Sequence, residues 1–186
     1  MHRIGKELRD LRATAAVLGI LAIGVAVPTL SAAALGTPSD AVTTGQRDRL
    51  TVDATGTHVE WAAPEHWQRQ EQVRRKYARY VDGERALSLT VISSVKDQQT
   101  AMERQVRSAA ASGQNLRLTE QKISTANEFS GLSCEVTGGN GAGQGRCAMV
   151  GRDGFLIVIT STAPTDKEPL DITTLIDSLT VKKEKA

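Results

Sequence analysis

Aromatic side chains are scarce in this chain: two each of Trp, Tyr and Phe among 186 residues. Any core must therefore be built mainly from Val, Leu, Ile and Ala. Histidine is equally thin, with three in the chain and only His58 and His66 beyond the first dozen residues. A Ser-His-acid hydrolase needs one of them beside a serine nucleophile. Neither has such a neighbour and no Gly-x-Ser-x-Gly occurs, so no catalytic residue is assigned. Zinc takes three or four His, Cys or carboxylate ligands; two histidines on one surface loop do not supply them, and neither metal nor cofactor is expected. Charge bias is lacking as well. Of 23 basic and 21 acidic residues, the first dozen positions hold four and two, which leaves nineteen of each and a balanced surface. Nothing in that balance calls for nucleic acid as a partner.

Charge is missing altogether from Ala13 to Ser39, and Ala15 to Val27 is close to pure hydrocarbon. About 20 such residues span a bilayer as a helix. Arg3, Lys6, Arg9 and Arg12 precede the run, so residues 1–12 are expected to stay in the cytoplasm and everything after Gly36 to be exported. Residues 13–35 admit two readings. Ala15–Val27 has the length of a signal-peptide hydrophobic region, Pro28 stands where such regions end, and Ala32-Ala33-Ala34 suits cleavage between small residues. Uncleaved, the 23 residues from Ala13 to Leu35 suffice for a tilted anchor. The chain is then a single-pass membrane protein with its C-terminal part outside, or a secreted one if cut near Ala34. No cysteine follows the run, which excludes a lipoprotein. Residues 36–49 read as a linker, and 50–183 as one domain.

Cys134 and Cys147 flank a segment that reads as strand end, glycine-rich loop and strand start. Their bridge would close a loop worth on the order of 3 kcal/mol in the chain-entropy model, and an oxidising compartment favours it. A redox pair is not indicated, because the spacing is unlike Cys-x-x-Cys. Gly138 to Gly145 fits neither glycine-rich phosphate motif, and a strand rather than a helix follows, so it reads as a hairpin tip.

The apolar points of Leu50–Glu60 suggest one short strand. Val73–Val81 reads as another, with Asp82-Gly83 as the turn into Ala86–Ile92, where Leu87, Leu89 and Val91 alternate. Asp97 caps a helix over Gln98–Ser112 stopped by Gly113, with Met102, Val106, Ala109 and Ala110 as its buried stripe. Strands follow around Leu116–Ile123, Phe129–Val136, Arg146–Val150 and Phe155–Thr160, the last apolar enough for burial on both faces. A second amphipathic helix starts at Pro169 and carries Ile172, Leu175, Ile176 and Leu179, and Thr180–Lys182 closes as an edge strand. The class is α+β: one antiparallel sheet covered by two helices.

Pro64-x-x-Trp67, the hairpin through Asp82-Gly83 and the helix after Ser93-Ser94 form the first half of a recognisable order. Phe129-Ser-Gly131 leading into a long hairpin, Phe155–Ser161, and a closing helix with Asp177-Ser-Leu-Thr-Val181 form the second. Together they resemble the α/β/α sandwich modules of the PsbP-like superfamily, which occur as tethered ectodomains in actinobacteria. The resemblance covers residues 50–183 and carries no catalytic motif. A narrower likeness is to the exported domain of type VII secretion-associated proteins. Both imply an extracytoplasmic accessory role at the cell envelope.

Arg69, Arg74, Arg75, Lys76 and Arg79 form the densest basic stretch, interleaved with Tyr77 and Tyr80. Outside the cytoplasm such a face meets lipid head groups or wall polymers; its alternative is a solvated strand face. Trp61 and Trp67, with Tyr77 and Tyr80, are candidates for partner or ligand contact or else core anchors. The favoured reading is a membrane-tethered, non-enzymatic binding module of the envelope, with a protein or lipid partner and a link to secretion or wall machinery. The alternatives are an envelope hydrolase using Glu60, Glu65 or Asp153, and a carrier of a hydrophobic ligand.

Overall fold

A computed structural model describes residues 39–71, 75–138, 143–152 and 154–183. The expected leader and the apolar run at 13–35 lie outside them. Among the described residues no helix is long and apolar enough to cross a membrane.

The strands are β1 (Ser39–Ala41), β2 (Arg47–Thr51), β3 (Thr57–Ala62), β4 (Gln68–Gln70), β5 (Tyr77–Asp82) and β6 (Arg85–Ile92), followed by helix α1 (Gln98–Ala111). Then come β7 (Gln114–Ser124), β8 (Ser130–Gly138), β9 (Gln144–Arg152), β10 (Phe155–Ala163), α2 (Thr173–Asp177) and β11 (Thr180–Lys183). Eight strands make a large antiparallel sheet in the order β1-β4-β5-β6-β10-β9-β8-β7. Three more make a small one, β11-β3-β2. The α+β class holds, with a large antiparallel sheet and two helices. The single sheet expected from the sequence is corrected to two, because β2, β3 and β11 pair with one another.

Two apolar cores lie on opposite faces of the large sheet. One joins Leu87, Leu89, Ile157 and Ile159 to Val59 and Trp61 of the small sheet and Leu175 and Ile176 of α2. The other sits under α1 and joins Met102 to Leu116, Val136, Met149, Leu156 and Val158. Strand β10 feeds both by alternation, which is why it reads as an unbroken apolar run. Phe129 and Phe155 meet edge to face at 6.1 Å.

Local chemistry sets the boundaries. Asp53 Oδ1 accepts from the amides of Thr55 and Thr57 and from the Thr55 hydroxyl, and this Asx turn divides the expected single strand at 50–60 into β2 and β3. Asp97 caps α1 by accepting from Thr100 N at 2.7 Å, as expected. Of its stripe, Met102 is buried and Val106 and Ala109 are half-buried, whereas Ala110 is exposed. Gly83 takes φ 58° in the turn joining Asp82 to Arg85. The second helix is five residues long rather than beginning at Pro169, yet Ile172, Leu175, Ile176 and Leu179 are all buried. Residues 39–49, read as linker, supply β1 and the start of β2, and Val42 is buried with its amide bonded to Trp67 O.

Candidate functional site

The basic stretch does not act as one face. Strand β5 buries Ala78 and Tyr80 toward the small sheet, so by alternation Arg79 points to the opposite side. Lys76 donates to Ser93 Oγ at 2.6 Å. Arg74 lies outside the described residues, as does Asp153. Arg69 and Arg75, by contrast, come together in a cleft of about 500 Å³ along β2, the outer strand of the small sheet. Its walls also carry Arg49, His58, Thr51, Thr57 and Tyr77. The amide of Thr51 donates to Arg75 O at 3.1 Å, which ties the two walls.

Behind the cleft a polar chain runs from one sheet to the other. Arg69 Nε of β4 lies 2.7 Å from Asp48 Oδ2 of β2. The Tyr80 hydroxyl donates to the same carboxylate oxygen, and Trp61 Nε1 donates to the Tyr80 oxygen at 3.2 Å. Burial, then the hydrogen bond and negative charge of Asp48, pushes the Tyr80 phenol well above its ordinary pKa. Trp61, Trp67 and Tyr80 are thus core residues at 0%, 4% and 0% exposure, which corrects their candidacy as ligand contacts: their rings are spent on packing. Arg85 stacks over Trp67 at 5.2 Å. Tyr77 alone of the four is half-buried and lines an opening.

Acid groups near the cleft are already engaged. Asp53 is drawn down to about 2, first by the Thr55 hydroxyl and, against an opposing desolvation, by the Thr55 and Thr57 amides. Glu60 accepts from His58 Nε2 at 3.1 Å and approaches Arg47 at 3.8 Å. Glu65, the other carboxylate considered for hydrolysis, accepts from Gly45 N on the far turn. Glu60 and Glu65 are therefore held by separate local partners. No group of three or more His, Cys, Asp or Glu suited to a metal occurs among the described residues.

Cys134 and Cys147 are bonded, Cα to Cα 4.7 Å, and stand directly opposite each other on β8 and β9. The bridge pins the base of the glycine-rich hairpin, whose tip at 139–142 is not among the described residues. A separate, largely apolar groove of about 630 Å³ runs between α1 and the β7–β8 strands, lined by Met102, Leu118, Ile123 and Leu132.

Arg49 and Asp48 escape a reading by sequence density because they fall in the stretch taken for linker. The alternation Asp48, Leu50, Val52 is the signal that would have marked a strand there.

No family model matches the chain, and no curated protein matches it. Among solved structures it is similar to the solution structure of cyanobacterial PsbP (CyanoP) from Synechocystis sp. PCC 6803. The match has 13% sequence identity and a TM-score of 0.48, over 80% of this chain and 99% of that one.

Proposed function

We propose that the domain is a non-catalytic accessory module on the outer side of a cell membrane, tethered by residues 13–35, which leans on an anionic lipid surface through the β2-edge cleft. The reading is supported by one observation: Arg49, Arg69 and Arg75 surround a single opening beside Tyr77. Guanidinium groups match phosphate geometry, and each basic residue near an anionic surface contributes about 1 kcal/mol. A place beside secretion or wall-building machinery accords with such a surface role.

The test is hydrogen exchange on the full chain in nanodiscs of phosphatidylcholine, with and without phosphatidylglycerol. Amides at 49–57 and 75–77 should slow in the anionic discs, and Arg49→Gln with Arg75→Gln should abolish the difference. Equal exchange in both discs would sink the surface contact. For the tether, the chain should remain with membranes after a carbonate wash; an N-terminus near Leu35 would establish cleavage instead.

A second reading rests on the apolar groove beside α1, whose lining suits a hydrophobic ligand. Displacement of a fluorescent fatty acid that is lost in Leu118→Glu would support the carrier role.

A further inference from the structure

Resting on that proposed surface contact, the cleft has features that a merely positive surface does not need. Arg69 is half-exposed, at 36%, yet its Nε is fixed against Asp48, which is only 12% exposed. Asp48 is in turn held by Tyr80, fully buried and backed by Trp61. The ion pair with Asp48 holds the guanidinium beside the core, and its exposed part lines the opening. A side chain already held by an ion pair loses less freedom when it binds an anion.

In the rest of the lining the arginines outnumber the one acidic residue. Arg49 and Arg75 are exposed at the walls, and His58 closes one side with its Nε2 turned to Glu60. Asp53 is the acidic residue of the lining; its hydrogen bonds to Thr55 and Thr57 keep it ionised, and it offsets one of the positive charges. Thr51 and Thr57 add hydroxyl groups, and Leu50 supplies apolar wall. A space of about 500 Å³ suits one head group.

We infer that this cleft selects a terminal phosphomonoester, with Arg69 as the residue that reads the phosphate and Arg49 and Arg75 as its flanking charges. A phosphomonoester carries about −1.5 to −2 charges at neutral pH and three acceptor oxygens. A phosphodiester or a carboxylate carries about one charge, and two or three guanidinium groups discriminate between them by charge and by paired hydrogen bonds. The phosphate group is the same on a phosphatidate-type lipid and on a small soluble ester, and the experiment separates those sources.

The full chain in phosphatidylcholine nanodiscs is titrated calorimetrically at pH 7.5 with sulfate, glycerol 3-phosphate, and short-chain dihexanoyl phosphatidate and phosphatidylglycerol. The phosphomonoesters should bind about tenfold or more tightly than the phosphodiester lipid, the worth of one additional charged hydrogen-bond pair, and sulfate, a tetrahedral dianion, should bind with them. Arg69→Lys keeps the charge but should erase that preference. Arg75→Gln, at an exposed position that does not enter the core, should weaken every anion by a similar factor. Phosphatidate binding well above glycerol 3-phosphate assigns the group to a lipid; equal affinities assign it to phosphate itself, and both support the selection. Equal affinity for phosphatidate and phosphatidylglycerol overturns the selection while leaving the surface contact standing. Failure of every anion to bind, together with unchanged exchange in anionic discs, overturns both.

Discussion

Tyr80 of the large sheet donates its phenolic hydrogen to Asp48 of the small one, so a hydrogen bond links the two sheets at the back of the basic cleft. Around it Trp61 donates to the phenol and Arg69 neutralises the carboxylate. Each hydrogen bond in this buried polar chain is costly to break, because an orphaned group pays its full desolvation; Arg69 Nε meets Asp48 as an ion pair without hydrogen-bond geometry. The polar chain also fixes where the two sheets sit along each other, which apolar contacts alone specify less sharply.

That relationship predicts an alkaline signature. The folded-state pKa of Tyr80 is raised above its ordinary value, first by burial and then by Asp48. Its contribution to stability is therefore complete below about pH 10 and is lost as pH rises beyond it, since the unfolded phenol ionises first. In a spectrophotometric titration the Tyr80 transition should coincide with unfolding, and Tyr80→Phe should remove it. Asp48→Ala should cost about 2–3 kcal/mol by chemical denaturation, reduced from a fully buried pair by the partial exposure of Arg69. A Tyr80 transition well below the unfolding pH would refute the assignment.

The disulfide gives a second expectation. Cys134 and Cys147 occupy a directly opposed pair on β8 and β9 with 13 residues of separation. Changing both to Ser should lower stability by roughly 3 kcal/mol while leaving the fold intact, because three more residue pairs continue the ladder beyond the bridge. Native mass spectrometry should find both thiols blocked to alkylation. Uptake of two alkyl groups would contradict the bond.

What the sequence makes legible here follows from range. The Asp82-Gly83 turn, the Asp97 cap and the two-faced burial of Phe155–Ile159 are decided by neighbours a few residues away, and alternation or turn chemistry reports them directly. The division into two sheets is not local: Val181 pairs with Val59 and Ser39 with Gln70. Alternation tells which face of a strand is buried but never which strand lies beside it. The site shows the same limit. Arg69 and Arg75 stand out by density, but density also gathers Arg79, which strand geometry sends to the other face, and it misses Arg49, some twenty residues earlier. The tryptophans and Tyr80 are ambiguous for a related reason, since an aromatic residue looks the same in sequence whether it faces a partner or a core.

Gly131 carries a prediction of the close-approach kind. It lies opposite Val150 on β9, and a Cβ placed there would stand 1.9 Å from the Met149 carbonyl oxygen, with two further backbone atoms inside 3 Å. Those atoms belong to a central ladder and cannot swing aside as a side chain would. Gly131→Ala should therefore cost about 2–4 kcal/mol by forcing β8 and β9 apart. Chemical denaturation measures it, and a midpoint equal to that of the parent protein would show that the strands have more room than this geometry allows.

The Asp97 cap predicts an acid-side effect confined to α1. Its carboxyl is held below the ordinary range, first by the Thr100 hydroxyl and then by the Thr100 amide. A depressed folded pKa means that the contribution is present above the unfolded carboxyl value and fades as pH falls through and below it. Amide protection across Gln98–Met102 should accordingly decline on acidification before the large sheet loosens. Asp97→Asn retains an acceptor for the Thr100 amide and removes the charge, so in that variant the decline should vanish while protection at neutral pH persists. Asp97→Ala should lower protection at every pH. Should Asn and Asp respond identically to acid, the cap would owe nothing to its charge, and the acid sensitivity of α1 would have to come from the sheet beneath it.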